Sequence, residues 1–142
     1  YPFANLSEGV HTLKVKVWDV YNNSRESQTE FVVATSAGLA LKHVLNYPNP
    51  FTSFTDFHFE HNRANDVLDV QVQIFTVSGR VVKTINTQVQ TNTSFRESSI
   101  RWDGKDDFGD NIGKGVYVYR IKVRAGSDQS TAEKIEKLVI LK

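Results

Sequence analysis

An all-β fold is the class this sequence predicts, and three observations carry the prediction. Almost every periodic stretch alternates apolar and polar residues with period two. None of them shows the 3.6-residue spacing of an amphipathic helix. Short runs of this kind recur along the chain, separated by clusters of Gly, Pro, Asn, Asp and Ser.

The elements follow in order. In "VHTLKVKVW", Leu13, Val15 and Val17 share one face while Thr12, Lys14 and Lys16 share the other. "DVYNNS" supplies a turn, with Asn22 and Asn23 able to take positive φ, and "TEFVVA" completes a hairpin. Two strands alone are marginal in water, so this hairpin needs a sheet from elsewhere. The sequence therefore predicts that residues 1–35 are the final hairpin of an upstream immunoglobulin-like domain, and that the chain is a fragment of a longer protein. "TSAGLAL" is small and flexible, which places a linker at 36–44 and a second domain at 45–142.

Within that second domain, "FTDFHFE" sets Phe57 and Phe59 on one face. "VLDVQVQIFTV" is the clearest strand, with Leu68, Val70, Val72 and Ile74 opposed to Asp69, Gln71 and Gln73. Ser78-Gly79 turns the chain into "VVKTIN", and the polar "TQVQTNTSFRES" crosses to the next strand. "SIRW", "GVYVYRIKVR" and "EKIEKLVILK" complete the set. About seven short strands of this pattern predict an immunoglobulin-like β-sandwich.

Composition excludes several function classes. Among 142 residues, Lys+Arg 17 against Asp+Glu 16 leaves no electrostatic footprint for nucleic acid. Zero Cys excludes disulfides, thiol catalysis and Cys-ligated zinc within these residues. No apolar run approaches the ~20 residues of a membrane-spanning helix.

The densest polar cluster is "SIRWDGKDDFGDNIGKGVYVYRI" at 99–121. An EF-hand loop needs oxygen ligands at positions 1, 3 and 5. Counting from Asp103 puts Lys105 third, and counting from Asp106 puts Phe108 third, so both registers fail. A looser calcium site among Asp106, Asp107, Asp110 and Asn111 remains the weaker alternative. Otherwise no metal or cofactor is expected, and the acids read mainly as turn formers among Gly104, Gly109, Gly113 and Gly115. The core-sized Trp102 and the Tyr117, Tyr119, Ile121, Val123 face bracket the loop. His11, His43, His58 and His61 lack the spacing of a helical zinc site and read as surface histidines. There is no Gly-x-Ser-x-Gly elbow and no phosphate-cradling Gly loop before a helix, so no catalytic residue is assigned.

Three features suit binding. Arg120, Lys122 and Arg124 share a strand face, as do Lys14 and Lys16; each is either an ordinary solvated face or a contact for anionic lipid or lipopolysaccharide. Trp18, Tyr21 or Tyr117 could stack on sugar rings, although core packing is their commoner use. The run Lys137, Leu138, Val139, Ile140, Leu141, Lys142 is apolar on both strand faces, so it either completes its own sheet or awaits a partner.

The order "YPNPF … VQIFTVSGRVV … IRWDGKDDFGDNIGKGVYVYRI … EKLVILK" resembles the immunoglobulin-like domain shared by flagellar hook-capping proteins and the C-terminal sorting domains of the type IX secretion system. The matching positions are Pro48, Asn49, Pro50, Gly79, Trp102, Asp103, Gly104, Asp107, Gly109, Gly115, Tyr117 and the tail Lys137–Lys142. "LSEGVHTLKVKVWDVYNNS" is similar to the last hairpin of the immunoglobulin-like segment in gingipain-like cysteine peptidases. Together they point to the C-terminal part of a type IX sortase. The resemblance implies a non-catalytic sorting and anchoring domain at the bacterial cell surface or outer membrane. It would be recognised by an outer-membrane β-barrel protein and associated with anionic lipopolysaccharide, with catalytic residues upstream. The long acidic loop is closer to the hook-capping pattern, which keeps a structural spacer or carbohydrate-contacting module on a secreted hydrolase as the alternative.

Overall fold

The computed structural model describes residues 9–33 and 38–142, and every regular element among them is a β-strand. Two compact units are present, the second spanning Gly38–Lys142.

The first unit is the predicted hairpin. Strand β1 (Gly9–Trp18) pairs antiparallel with β2 (Ser24–Val33), with Leu13 opposite Thr29 and Val17 opposite Arg25. The second strand starts well before "TEFVVA", because its polar first half pairs as regularly as its apolar second half. Asn22 takes the positive φ (66°) that the turn requires. The Asp19 carboxylate accepts hydrogen bonds from the backbone N–H of Tyr21 and Asn23, both at 2.9 Å. Those bonds, led by the Asn23 side-chain amide, hold the Asp19 carboxyl below its usual range. The assignment of 1–35 to an upstream domain reaches residues 1–8 and 34–35, which lie outside the described residues.

The second unit is a sandwich of seven strands: β3 (Leu41–Tyr47), β4 (Thr55–His61), β5 (Val67–Thr76), β6 (Val81–Gln90), β7 (Arg96–Trp102), β8 (Gly115–Ala125) and β9 (Thr131–Ile140). One sheet runs β3-β4-β7 and the other β6-β5-β8-β9, all pairs antiparallel. In constant-type immunoglobulin domains the fourth strand joins the first sheet. Here β6 pairs with β5 instead, because the Ser78-Gly79 turn is too short to carry the chain across. Gly79 holds φ 93° in that turn.

The linker at 36–44 is shorter than expected. Leu39 and Leu41 are buried in the core and β3 already begins at Leu41. A register shift between Lys42 and Leu45, with His43 at φ 49°, breaks the period-two signal there.

Alternation fills the core. Phe57 and Phe59 from β4 meet Leu68, Val70, Val72 and Ile74 from β5, and Tyr119, Ile121 and Val123 from β8. The Phe57 and Tyr119 rings lie 4.9 Å apart between the two sheets. Trp102 packs edge-on against Phe51 at 5.6 Å and donates its indole N–H to the Lys105 carbonyl at 2.8 Å. A loop residue thus satisfies the one polar atom of the largest core side chain.

Candidate functional site

The last strand was the strongest sequence candidate, and its two faces differ in environment. Leu138 and Ile140 are wholly buried in the core, whereas Lys137, Leu141 and Lys142 are exposed and Val139 is half-buried. Leu138 and Ile140 are therefore inaccessible to a partner while the domain is folded. A recognition role in the folded state falls to Lys137, Val139, Leu141 and Lys142.

The free edge of β9 is also covered at this end. Asn49 donates its amide to the Lys137 carbonyl (3.3 Å), and its Oδ1 accepts from the Val139 N–H (3.0 Å). Phe51 continues the contact: its N–H donates to the Val139 carbonyl (3.1 Å) and its carbonyl accepts from Leu141 (2.9 Å). Phe51 forms a short parallel bridge with Ile140 and is itself buried. The segment between Pro48 and Phe51 thus clasps the terminal strand and occupies the backbone groups that a partner strand would need. The peptide bonds before Pro48 and Pro50 are cis. Phe51 was not singled out in the sequence; an aromatic directly after the Pro-Asn-Pro turn was its only signal.

The acidic loop covers the opposite edge of the same sheet. Asp107 N–H donates to the Val82 carbonyl (3.2 Å), and Asp107 Oδ1 accepts from the Thr84 N–H (3.2 Å), both on β6. Lys83 Nζ reaches the Asp106 carbonyl at 3.3 Å. Within the loop, Asp106 Oδ1 accepts from Phe108 and Asp110 N–H, each at 2.9 Å, and Asp103 Oδ1 accepts from Lys105. These oxygens serve as acceptors for backbone amides. Among the described residues no three His, Asp or Glu side chains are grouped to hold a metal ion. Gly104 (φ 74°) and Gly109 (φ 89°) make the turns, and a Cβ on Gly104 would meet the Phe51 ring at 3.3 Å and Lys142 at 3.2 Å. Lys142 ties tail to loop, donating to the Asp103 carbonyl and Asn111 Oδ1, both at 3.2 Å. Gly115 opens β8 at φ 149°, and the Tyr117 hydroxyl donates back to the Gly113 carbonyl at 2.8 Å.

The remaining candidates separate. His61 is buried rather than solvated: its Nδ1 accepts from Arg63 N–H at 3.2 Å, and Nε2 lies 3.6 Å from Glu97. It closes the inward row of β4 after Phe59, a position the spacing shared with His58 did not reveal. His43 is exposed and 2.6 Å from Glu60, which Arg96 also meets at 2.6 Å. The Arg96 bond first, then His43, holds the Glu60 carboxyl below its usual range. His58 is half-buried, and the side chain of His11 lies outside the described residues.

The basic face of β8 is partly neutralised. Arg124 binds Asp69 at 2.7 Å and lowers the acidity constant of that carboxyl, while Arg120 donates to the Gln73 side-chain carbonyl. A broad concavity over this face, about 750 Å³, is lined by Asp69, Gln71, Asn86, Gln88, Lys122 and Arg124. Several of these groups already bond one another, as in the Gln71–Asn86 and Gln88–Asp69 pairs at 3.0 and 2.7 Å. Trp18 and Tyr21 are exposed on the hairpin, at 58% and 84%.

No curated protein matches the chain. The crystal structure of dimeric latent PorU from Porphyromonas gingivalis is similar to it, at 30% identity with a TM-score of 0.65. The match covers 96% of this chain but only 12% of that one, so the chain spans a small part of the protein it resembles. The model of the FlgD Ig-like domain matches residues 49–129, from the Asn49 clasp through the acidic loop to the β8–β9 turn. The chain belongs to the FlgD Ig-like domain family.

Proposed function

We propose that the chain is the C-terminal sorting and anchoring part of a protein exported by the type IX secretion system, of the gingipain-like sortase kind. The likeness to PorU over nearly the whole chain is the observation that carries this reading. In it, residues 1–35 finish an upstream immunoglobulin-like domain and Gly38–Lys142 form the sorting domain. An outer-membrane β-barrel protein reads the terminal strand, and the domain then stays attached as a tether, near anionic lipopolysaccharide at the cell surface. Catalysis belongs to a cysteine peptidase domain upstream. The described residues supply what a docking module needs: a rigid sandwich, covered sheet edges and a terminal strand held in place.

The test is cell fractionation of the parent protein with and without residues 38–142. Protease added to intact cells is expected to digest the unmodified protein and spare the deletion variant, which stays in the periplasm. Equal digestion of both would refute the reading.

The complete burial of Leu138 and Ile140 favours one second reading, a structural spacer. It predicts that the deletion alters stability and leaves the location unchanged.

A further inference from the structure

The outward face of the β6-β5-β8-β9 sheet changes character along its length. Cross-strand register sorts it into rows. The first two rows are polar: Gln88, Asp69, Arg124 and Thr131, then Asn86, Gln71, Lys122 and Glu133. A solvated antiparallel face normally looks like this. The third, Thr84, Gln73, Arg120 and Ile135, is mixed. Beyond it the face turns apolar: Val81, Phe75 and Val118 stand in line beside Lys137, followed by Val116 opposite Val139. Val81 is 45% exposed, Val116 50% and Ile135 62%, while Phe75, Val118 and Val139 are half-buried. A contiguous apolar surface with a polar border is the mark of an interaction site.

Two cations stand in this patch without a carboxylate. Lys137 projects from its middle, and no ion pair among the described residues includes it. Arg120 lies 5.8 Å from the Phe75 ring, and its buried Nε has no hydrogen-bond partner. An unpaired donor beside apolar side chains needs an acceptor from outside the domain.

We infer that this end of the outer sheet face docks a folded protein partner through an apolar surface edged by carboxylates. Two copies packed through the same patch would set Lys137 and Arg120 against their like, which opposes self-association. Membrane surfaces are usually met by protruding aromatic and leucine side chains, whereas this patch is flat and β-branched. The Asn49–Phe51 clasp already occupies the edge of β9, so the contact is made by side chains and not by strand addition. The identity of the partner as the export machinery rests on the sorting reading; the existence of the docking face does not.

The test uses the parent protein in its own bacterium, with Val116→Glu and Lys137→Glu as the variants and Gln71→Glu, on the polar rows, as control. Placing an acid against the partner's acids is expected to cut the protease-accessible surface fraction about tenfold for both variants and to leave the control unchanged. Should Val116→Glu fail to fold, Lys137→Glu at its exposed site decides alone. Wild-type display by a folded variant would overturn the docking face; if deletion of residues 38–142 still blocks display, the sorting reading survives that loss. Display that persists after the deletion would instead sink the sorting reading, and the docking face with it as an export contact. Two outcomes with the isolated chain would also overturn the inference. One is a dimer in light scattering that Val116→Glu dissolves, which assigns the face to a second copy. The other is binding to phosphatidylglycerol vesicles that Lys137→Glu abolishes, which assigns it to a membrane.

Discussion

Replacing Asn49 with Ala removes both side-chain bonds that hold β9, the 3.0 Å bond from Val139 and the 3.3 Å bond to Lys137. The backbone bonds of Phe51 remain. A net hydrogen bond contributes about 0.5–1.5 kcal/mol, and Asn49 faces solvent, so each belongs at the lower end and the pair contributes about 1 kcal/mol. For a domain of this size that loss corresponds to a fall in Tm of about 4–8 °C. Near-UV circular dichroism measures it. Amide exchange then locates it: the Val139 N–H should lose protection about tenfold, the equivalent of ~1.4 kcal/mol, relative to the core amides of β5. Asn49→Asp keeps the acceptor for Val139 and loses the donor to Lys137, so its Tm should fall between the two. An unchanged Tm together with unchanged Val139 protection would refute the clasp and leave the tail held by core packing alone.

Leu138→Ala and Ile140→Ala each empty a fully buried site and should cost about 2–5 kcal/mol in urea unfolding, whereas Leu141→Ala, 58% exposed, should stay within about 0.5 kcal/mol. Gly104→Ala places a Cβ at φ 74° against Phe51 and Lys142, and is expected to cost about 1–2 kcal/mol in the same assay. Arg101 first holds the Asp56 carboxyl below its usual value, so the Asp56 contribution is present above the unfolded value near 3.8 and lost as pH falls below it; Asp56→Asn should flatten that acid limb of a Tm–pH curve. Burial first, then Glu136, pushes the Tyr119 hydroxyl up from 10.0, so its contribution is full below pH 10 and lost as pH rises above that. That buried hydroxyl has no hydrogen-bond partner, so Tyr119→Phe should be neutral or stabilising by up to about 1 kcal/mol and should remove the alkaline limb.

Period-two alternation was enough to read β5 and β8, because each buries one face with no irregularity. The same rule failed at β3, where a bulge at His43 hid the start of the strand, and at His61, whose ring is buried behind Phe59. "KLVILK" was recognised as apolar on both sides. The equally two-sided "IF" of β5 and "GVYV" of β8 were passed over, since each looks like an ordinary core strand taken alone. Only the register that aligns Phe75 with Val118 and Val116 with Val139 turns scattered valines into a patch.

Local pattern by itself therefore determined the class of fold, the inward residues of its clearest strands and the turns at Asn22 and Gly79. These depend on side-chain alternation and backbone preference within a few residues. The tertiary structure decided which edges are closed and which surface stays open. Asn49 meets β9 across 88 to 90 residues of chain, and Asp107 lies 23 beyond the Thr84 it caps. Contacts that distant follow from strand order and sheet closure, and no short window of sequence records them.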